Sequence, residues 1–534
     1  MTIPDDATRQ PAPVTKAPEQ RDGRLRNRAL LLLLITYAAV VAWTAWLADD
    51  AYITLRTVDN FVSGHGLRWN VAERVQTFTH PLWMLLLSAL YFFTREAYLT
   101  TLGASWAVSI AAVSVVARRA IHERLPLRVV VPGIGILIAS KAFTEYSTSG
   151  LENPLTHLLL AVFSAQWLAN GATAAALPAV ALCAGLATLN RMDTILLFLP
   201  ALVWQLWHWA SARRFLVTLL AFTPFLVWEV FSVIYYGLPF PNTAYAKLNT
   251  GVSRLDARDL GLAYFWNSLA HDPITLLAIA GSLIACARDR SRKTVPLVTG
   301  ALLYLAYVLY IGGDFMSGRF FAAPLLIAVI VLIEVGGHAS AAPSLRLLPS
   351  FLLVIVISLS VAQRLGWNGG NANADALVDA HGIADERAFY YPVTGLWIDT
   401  PIAQRPSGHA ANTGRRARRR GDPLIVSGAV GFQGFLAGPS TYVLDYHALG
   451  DPLLARLPMV KVDPYLHDFC LQFRGWPCVR PWRAGHYLRN VPPGYLDSIL
   501  SGENRLADTN LHRLYDQVRL ITRGPIWSLA RWRA

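Results

Sequence analysis

The sequence predicts an all-α polytopic membrane bundle of about 11 spans, followed by a soluble α/β domain outside the membrane. Three observations carry this reading. Of 534 residues, 54% are hydrophobic and 15% charged, with a mean hydropathy of +0.37; an ordinary soluble domain is about 25% charged. Apolar runs of span length recur from Ala29 to Val361. Over residues 365–534 no run is long enough to cross a bilayer, and Pro, Gly, Arg and Asp become frequent. These figures rule out a disordered chain or a small stapled scaffold and argue against a cytosolic enzyme. The net charge of +13 reads as cytoplasmic loop charge rather than a nucleic-acid footprint, so no nucleic-acid partner is expected.

In chain order, residues 1–28 are Pro-rich and end in Arg21, Arg24, Arg26 and Arg28, a disordered cytoplasmic tail. Ala29–Leu47 is an uncleaved first span whose basic flank keeps the N-terminus inside. An external loop follows over residues 48–80. Pro81–Phe93 is apolar for only about 13 residues, the length of an interfacial segment rather than a span. Later spans are Leu99–Ala117, Val129–Phe143, Pro154–Leu168, Ala174–Leu189, Thr194–Ala210, Phe215–Tyr235, Pro273–Ala287, Thr294–Ile311, Phe320–Val335 and Leu347–Val361. Three loops, with Arg118, Arg119, Arg124 and Arg128, with Arg213 and Arg214, and with Arg288, Arg290, Arg292 and Lys293, then fall on the cytoplasmic side. The odd count makes residues 29–364 a multi-pass plasma-membrane domain and puts 365–534 outside.

In that external domain Leu424–Ser427 and Thr441–Leu444 read as strands, and Asp451–Leu457 starts like a helix. Arg415–Arg420 reads as a basic, Gly-flanked loop, either solvated surface or a contact for acidic lipid or a polyanionic acceptor. Cys470 and Cys478 can form a disulfide in an oxidising compartment; Cys183 and Cys286 are core thiols.

Polar chemistry concentrates in external loops on one membrane side. The first reads LADDAYITLRTVDNFVSGHGLRWNVAERVQTFTHPLW. Asp49 and Asp50 stand where the first span leaves the membrane. Repulsion and desolvation there raise a carboxylate pKa and ready a base; the alternative is a pair that only marks the end of the span. Tyr52, Leu55, Asp59 and Val62 recur at helical spacing, an amphipathic helix lying on the membrane surface. Arg56 either pairs with an acid or meets a phosphate. His80, in THPLW, leads into the interfacial segment and joins the substrate-side candidates.

In TEYSTSGLENP, Glu152 is either a favourable first-turn carboxylate or a substrate contact. Arg191 and Asp193 in LNRMD read as an ion pair. In YYGLPFPNTAYAKLNTG, Asn242 and Lys247 are candidates for an anionic headgroup, and the tyrosines suit an interface belt. In GGDFMSGRF the glycines allow close backbone approach, and Asp314 and Arg319 form either an ion pair or a substrate contact. No Walker A or G-x-S-x-G sequence occurs. The chemistry that suits an external cavity without nucleotides is transfer from a lipid-linked donor. A polysaccharide or lipid transporter and a noncatalytic envelope sensor are the rivals.

The first loop, with STSGLEN, YYGLPFPNTAYAKL, GGDFMSGRF, HGIADERAFY and LGDPLLARLP, resembles polyprenyl-phosphate-dependent membrane glycosyltransferases of the GT-C superfamily. It is similar above all to the terminal β-(1→2)-arabinofuranosyltransferases of actinobacterial cell-wall arabinan. The resemblance implies a decaprenyl-phosphate arabinofuranose donor, a cell-envelope glycan acceptor, contact with membrane lipid, and a catalytic aspartate in the first external loop. That aspartate matches Asp49 or Asp50, with Asp49 favoured as the leading acid of the pair. It also implies direct displacement of the lipid phosphate, with Arg56, Lys247 or Arg319 supporting the leaving group, and suits residues 365–534 to carbohydrate binding. A lipid phosphate leaves readily, so no cofactor is required, although Asp49 and Asp50 stand where a divalent cation can bind.

Overall fold

The structure is a computed structural model that describes residues 17–171, 173–208, 211–248, 250–289, 292–338, 377–474 and 477–534. The expected last span, Leu347–Val361, and the expected boundary after residue 364 lie outside the described residues.

The first helix, α1 (Ala17–Trp43), begins before the apolar run, so the arginines assigned to a disordered tail lie on a helix. Pro18 stands in its first turn, where proline costs no hydrogen bond, and no proline separates Arg21 from the span. Then follow α2 (Asp49–Val62), α3 (Pro81–Thr94), α4 (Ala97–His122), α5 (Leu127–Ala139), α6 (Lys141–Glu145), α7 (Asn153–Asn170), α8 (Leu177–Asn190), α9 (Ile195–His208), α10 (Ala212–Ala221), α11 (Thr223–Tyr236), α12 (Asn242–Leu248), α13 (Arg254–His271), α14 (Pro273–Arg288), α15 (Val295–Ile311) and α16 (Ala322–His338). Helix α16, apolar all round until Glu334 in its last turns, is buried along most of its length and packs on α5, α7, α14 and α15, as a helix hydrophobic on every face should.

Among the described residues, 3 helical stretches are long and apolar enough to cross a membrane, Gly23–Trp43, Ala97–His122 and Arg319–His338, or up to 5 if the bent pairs α10–α11 and α13–α14 each count as one span. The sequence expectation of about 11 rested on apolar runs alone. In the folded chain Val129–Phe143 is divided between α5 and α6 and Phe215–Tyr235 between α10 and α11, while Ala174–Asn190 and Val295–Ile311 are apolar helices somewhat shorter than the ~20 residues of a full crossing.

Beyond residue 376 lie α17 (Glu386–Thr394), α18 (Gly408–Arg420), β1 (Leu424–Ser427), α19 (Val430–Ala437), β2 (Tyr442–Asp445), α20 (Pro464–Arg474), α21 (Tyr495–Ser501), α22 (Thr509–Arg523) and α23 (Leu529–Arg533). Strands β1 and β2 pair in parallel, from Leu424↔Tyr442 to Ser427↔Asp445, with α19 as the crossover. Both strands match the sequence reading to within a residue. The helix expected to start near Asp451 is a single 3-10 turn, Leu454–Arg456. The expected basic loop Arg415–Arg420 is instead the end of α18. Ala411, Gly414 and Ala417 bury one face at a spacing of three, and Gly414 leaves no room for a side chain against the Gln433 carbonyl. Gly421, at φ +70°, ends that helix. Cys470 and Cys478 are disulfide-bonded, while Cys183 and Cys286 are free.

The helix over Asp49–Val62 forms as its periodicity requires, but not as a membrane-surface helix. Every residue from Asp49 to Asn60 except Asp50 and Asp59 is buried. One side lies on α3 and the other on α19, where Tyr52 meets Phe432 and Phe435 edge-on at 5.0 and 5.3 Å. A protein groove, rather than lipid, takes its apolar stripe. Helix α3 runs beside it: Thr54 meets His80 at 2.8 Å, Tyr91 donates to Asp59 at 2.8 Å, and Arg95 reaches the Val62 carbonyl at 3.4 Å. Both ends of α3 therefore keep to the layer of α2.

Candidate active site

Three tethers fix the start of α2. The segment Thr44–Ala48 between α1 and α2 is non-helical, and the Ala48 N–H donates to Ser149 O at 2.9 Å. From the C-terminal region, Leu396 N donates to Ala45 O at 2.9 Å and the Thr394 hydroxyl to Leu47 O at 2.8 Å. On the opposite side, Gly312 and Gly313 adopt φ +87° and +72° after α15, a left-handed turn that glycine tolerates. The chain then forms a short β-bridge, Met316 beside Ala384, with Ala384 N donating to Phe315 O at 2.7 Å and Ser317 N to Ala384 O at 2.9 Å. The GGDFMSGRF and HGIADER segments are thus docked together, and Glu386 stands near Asp314.

The adjacent acids have different partners. Asp49 is buried, and its carboxylate accepts the backbone N–H groups of Gly431 at 3.0 Å and Phe432 at 2.7 Å. It caps α19 from another helix, at the positive end of the α19 dipole. Burial pushes its pKa up to about 7 against those hydrogen bonds, with the Asp50 charge adding to the rise. Asp50 is half-buried and its carboxylate accepts no hydrogen bond among the described residues. Burial raises its pKa; Lys247 and Arg319 oppose the rise, Asp314 reinforces it and Arg483 opposes it. The geometry reverses the sequence preference for Asp49, because the leading acid is occupied by a helix end while the second stays open among cations.

Glu152 is the hub of a buried ion network. Arg191 donates to it at 2.7 Å, Arg319 at 2.9 and 3.1 Å, and His80 Nδ1 lies 3.3 Å away. Burial alone would raise its pKa; Arg319, Arg191 and His80 overcome this and hold the carboxyl well below its ordinary value. Arg191 also pairs with Asp193 at 2.8 Å, as read from LNRMD. Asp314 Oδ1 accepts its neighbour Phe315 N at 2.9 Å, while Oδ2 lies 3.7 Å from Arg319 Nη1, an ion pair without a hydrogen bond. Lys247, in the last turn of α12, lies 6.0 Å from the Phe315 ring and makes no hydrogen bond or ion pair among the described residues.

Three residues expected at the substrate are committed elsewhere. Arg56 donates to Trp69 O at 2.7 Å, to Asn70 Oδ1 at 3.3 Å, to Thr441 O at 2.8 Å and to Gly434 O. It sews α2 to the C-terminal region instead of meeting a phosphate, because its fork matches carbonyls that the crowded junction leaves without partners. The Asn242 amide donates to the carbonyls of Ala448, Leu449 and Asp451 at 2.9–3.1 Å. His80 bridges Thr54 and Glu152; burial lowers its pKa to about 4, so it is neutral near pH 7. Sequence reasoning missed Glu386 and Arg483. The first lay inside the quoted HGIADERAFY segment, whereas nothing in PWRAGHY marked the second.

Among the described residues, no group of three or more His, Cys, Asp or Glu side chains is arranged to hold a metal ion. No family model matches the chain. It is 28% identical to a terminal β-(1→2)-arabinofuranosyltransferase of Mycobacterium tuberculosis, over 88% of each chain. A Corynebacterium glutamicum protein of the same name is 28% identical over 56% of this chain and 49% of its own. Among solved structures, ArnT from Cupriavidus metallidurans bound to undecaprenyl phosphate superposes with a TM-score of 0.45 at 14% identity, over 84% of each chain. The likeness to terminal β-(1→2)-arabinofuranosyltransferases seen in separate sequence segments thus extends over most of the chain.

Proposed function

We propose that this protein is a membrane glycosyltransferase that moves a sugar, specifically arabinofuranose, from a polyprenyl-phosphate donor to a cell-envelope glycan on the outer face of the membrane. The names of its relatives support the reaction class and the sugar. The observation that carries the mechanism is Asp50, an open carboxylate facing Lys247, Arg319 and Arg483.

Asp50 accepts the proton of the acceptor hydroxyl as that oxygen attacks the anomeric carbon and the lipid phosphate departs. Positioned base catalysis contributes roughly 10²–10⁴-fold. Lys247 stabilises charge growing on the phosphate, with Arg319 behind it, oriented by Glu152. The basic clusters at the end of α4, the start of α10 and the end of α14 support a cytoplasmic N-terminus and an external C-terminal region. Purified protein incubated with lipid-linked arabinofuranose and an arabinan oligosaccharide should extend the oligosaccharide. Binding of both without transfer would favour a transporter or sensor.

A further inference from the structure

Two buried side chains beside Asp50, Glu386 and Arg483, form an ion pair that leaves polar atoms of both without a hydrogen bond among the described residues. Glu386 is 5% exposed and opens α17, yet it does not cap that helix: Asp385 does, accepting Ala388 N at 2.9 Å. The Glu386 carboxyl makes no hydrogen bond among the described residues, and the nearest cation is Arg483 Nη2 at 3.5 Å. That Nη2 is itself buried without a hydrogen-bond partner. Arg483 is nonetheless rigidly held. Its Nε donates to Gly382 O at 2.6 Å, and its guanidinium lies 4.9 Å from the Phe315 ring and 5.1 Å from Phe469. Across from them Asp314, 7% exposed, has its Oδ2 paired at 3.7 Å with Arg319 but accepting no hydrogen bond. Orphaned buried polar atoms cost free energy unless something satisfies them. Here a donor, an acceptor and a carboxyl group lie together beside the proposed base and an aromatic ring, the mixture that binds a polyol.

We propose that Glu386 and Arg483 form a sugar-hydroxyl subsite that closes the cleft from the C-terminal region, Glu386 donating to one ring hydroxyl of a furanose and Arg483 Nη2 to another. The subsite rests on the glycosyl-transfer reading and adds to it the groups that recognise the sugar. Asp49 and Asp50 of α2, Asp314 after α15, Arg483, Tyr146 before α7 and Tyr390 on α17 surround Glu386. Burial raises its pKa to about 8 against Arg483, with Asp50, Asp314 and Asp49 adding to the rise. Near pH 7 Glu386 is therefore an uncharged acid able to donate. As the pH rises through 8 it loses that proton, and binding weakens.

The test uses the purified full-length protein with lipid-linked arabinofuranose and an arabinan oligosaccharide. Glu386→Ala should raise KM about tenfold for the sugar it holds, the size of one lost buried hydrogen bond. A KM rise confined to the lipid-linked sugar assigns the hydroxyl to the donor, and one confined to the oligosaccharide assigns it to the acceptor. Glu386→Gln keeps a donor that does not titrate. Its KM should rise less, and its kcat/KM should lack the wild-type alkaline fall. Wild-type KM values in Glu386→Ala, or an unchanged alkaline fall in Glu386→Gln, would overturn the subsite while leaving the function intact. A wild-type protein that transfers no sugar would overturn both.

Discussion

The Asp49 carboxylate accepts the backbone N–H of Phe432 at 2.7 Å, joining residues 383 apart in the chain. With the Gly431 N–H at 3.0 Å, this makes the first acid of the pair a clamp on α19. Asp49→Ala should lower stability by about 0.5–2 kcal/mol, the worth of a helix cap, measured as a lower Tm of detergent-purified protein. The effect also has a pH signature. Folded Asp49 keeps its proton to about pH 7, whereas a free Asp releases it near 3.8. The stability it contributes is therefore full below about pH 4 and is lost as the pH rises to 7. The wild-type minus Asp49→Asn difference in Tm should decline over that window and be flat above it.

Gly431 is where α19 meets that clamp. A Cβ there would lie 1.8 Å from the Asp49 carbonyl oxygen and 2.8 Å from its carboxyl carbon, so one methyl group forces α19 away from α2. Gly431→Ala should cost about 1–3 kcal/mol or more as overpacking, together with a loss of transfer activity. The check is thermal unfolding alongside a turnover assay.

Arg56 gives the opposite division. Its four acceptors are three backbone carbonyls and the Asn70 side chain. Arg56→Ala should destabilise the fold by about 1–3 kcal/mol per carbonyl left dry. Affinity of the surviving folded protein for a polyprenyl phosphate should not change. Isothermal titration on monodisperse protein separates these effects, and weakened phosphate binding would return Arg56 to the substrate.

What the sequence revealed follows a physical division. Short-range patterns were readable: the periodicity from Tyr52 to Val62 is a helix, Leu424–Ser427 is a strand, and Cys470 pairs with Cys478. Partners distant in the chain were not. Arg56, Asn242 and His80 carry groups that suit a phosphate or sugar, but the same groups satisfy backbone carbonyls and ion networks. Only the docking of the C-terminal region onto α2 shows which use prevails. The choice between Asp49 and Asp50 turned on the arrival of Gly431, almost 400 residues later. Arg483 was hidden because a lone arginine in a polar segment has no pattern.

The disulfide provides a test of sidedness. Of four cysteines, Cys183 and Cys286 are free, so denatured, unreduced protein should show two thiols. Ser501, exposed at the end of α21, should label from outside intact cells as Ser501→Cys. Four thiols, or labelling only after permeabilisation, would contradict an external C-terminal region.

The proposed mechanism depends most on Asp50, the open carboxylate of the pair. Asp50→Asn keeps the size of the side chain and removes its basicity. Turnover should be measured on monodisperse Asp50→Asn protein with lipid-linked arabinofuranose and an arabinan oligosaccharide, after confirming an unchanged Tm. A fall of roughly 10²–10⁴-fold in kcat, with donor affinity close to wild type, is the predicted result; wild-type turnover in the folded variant would contradict it.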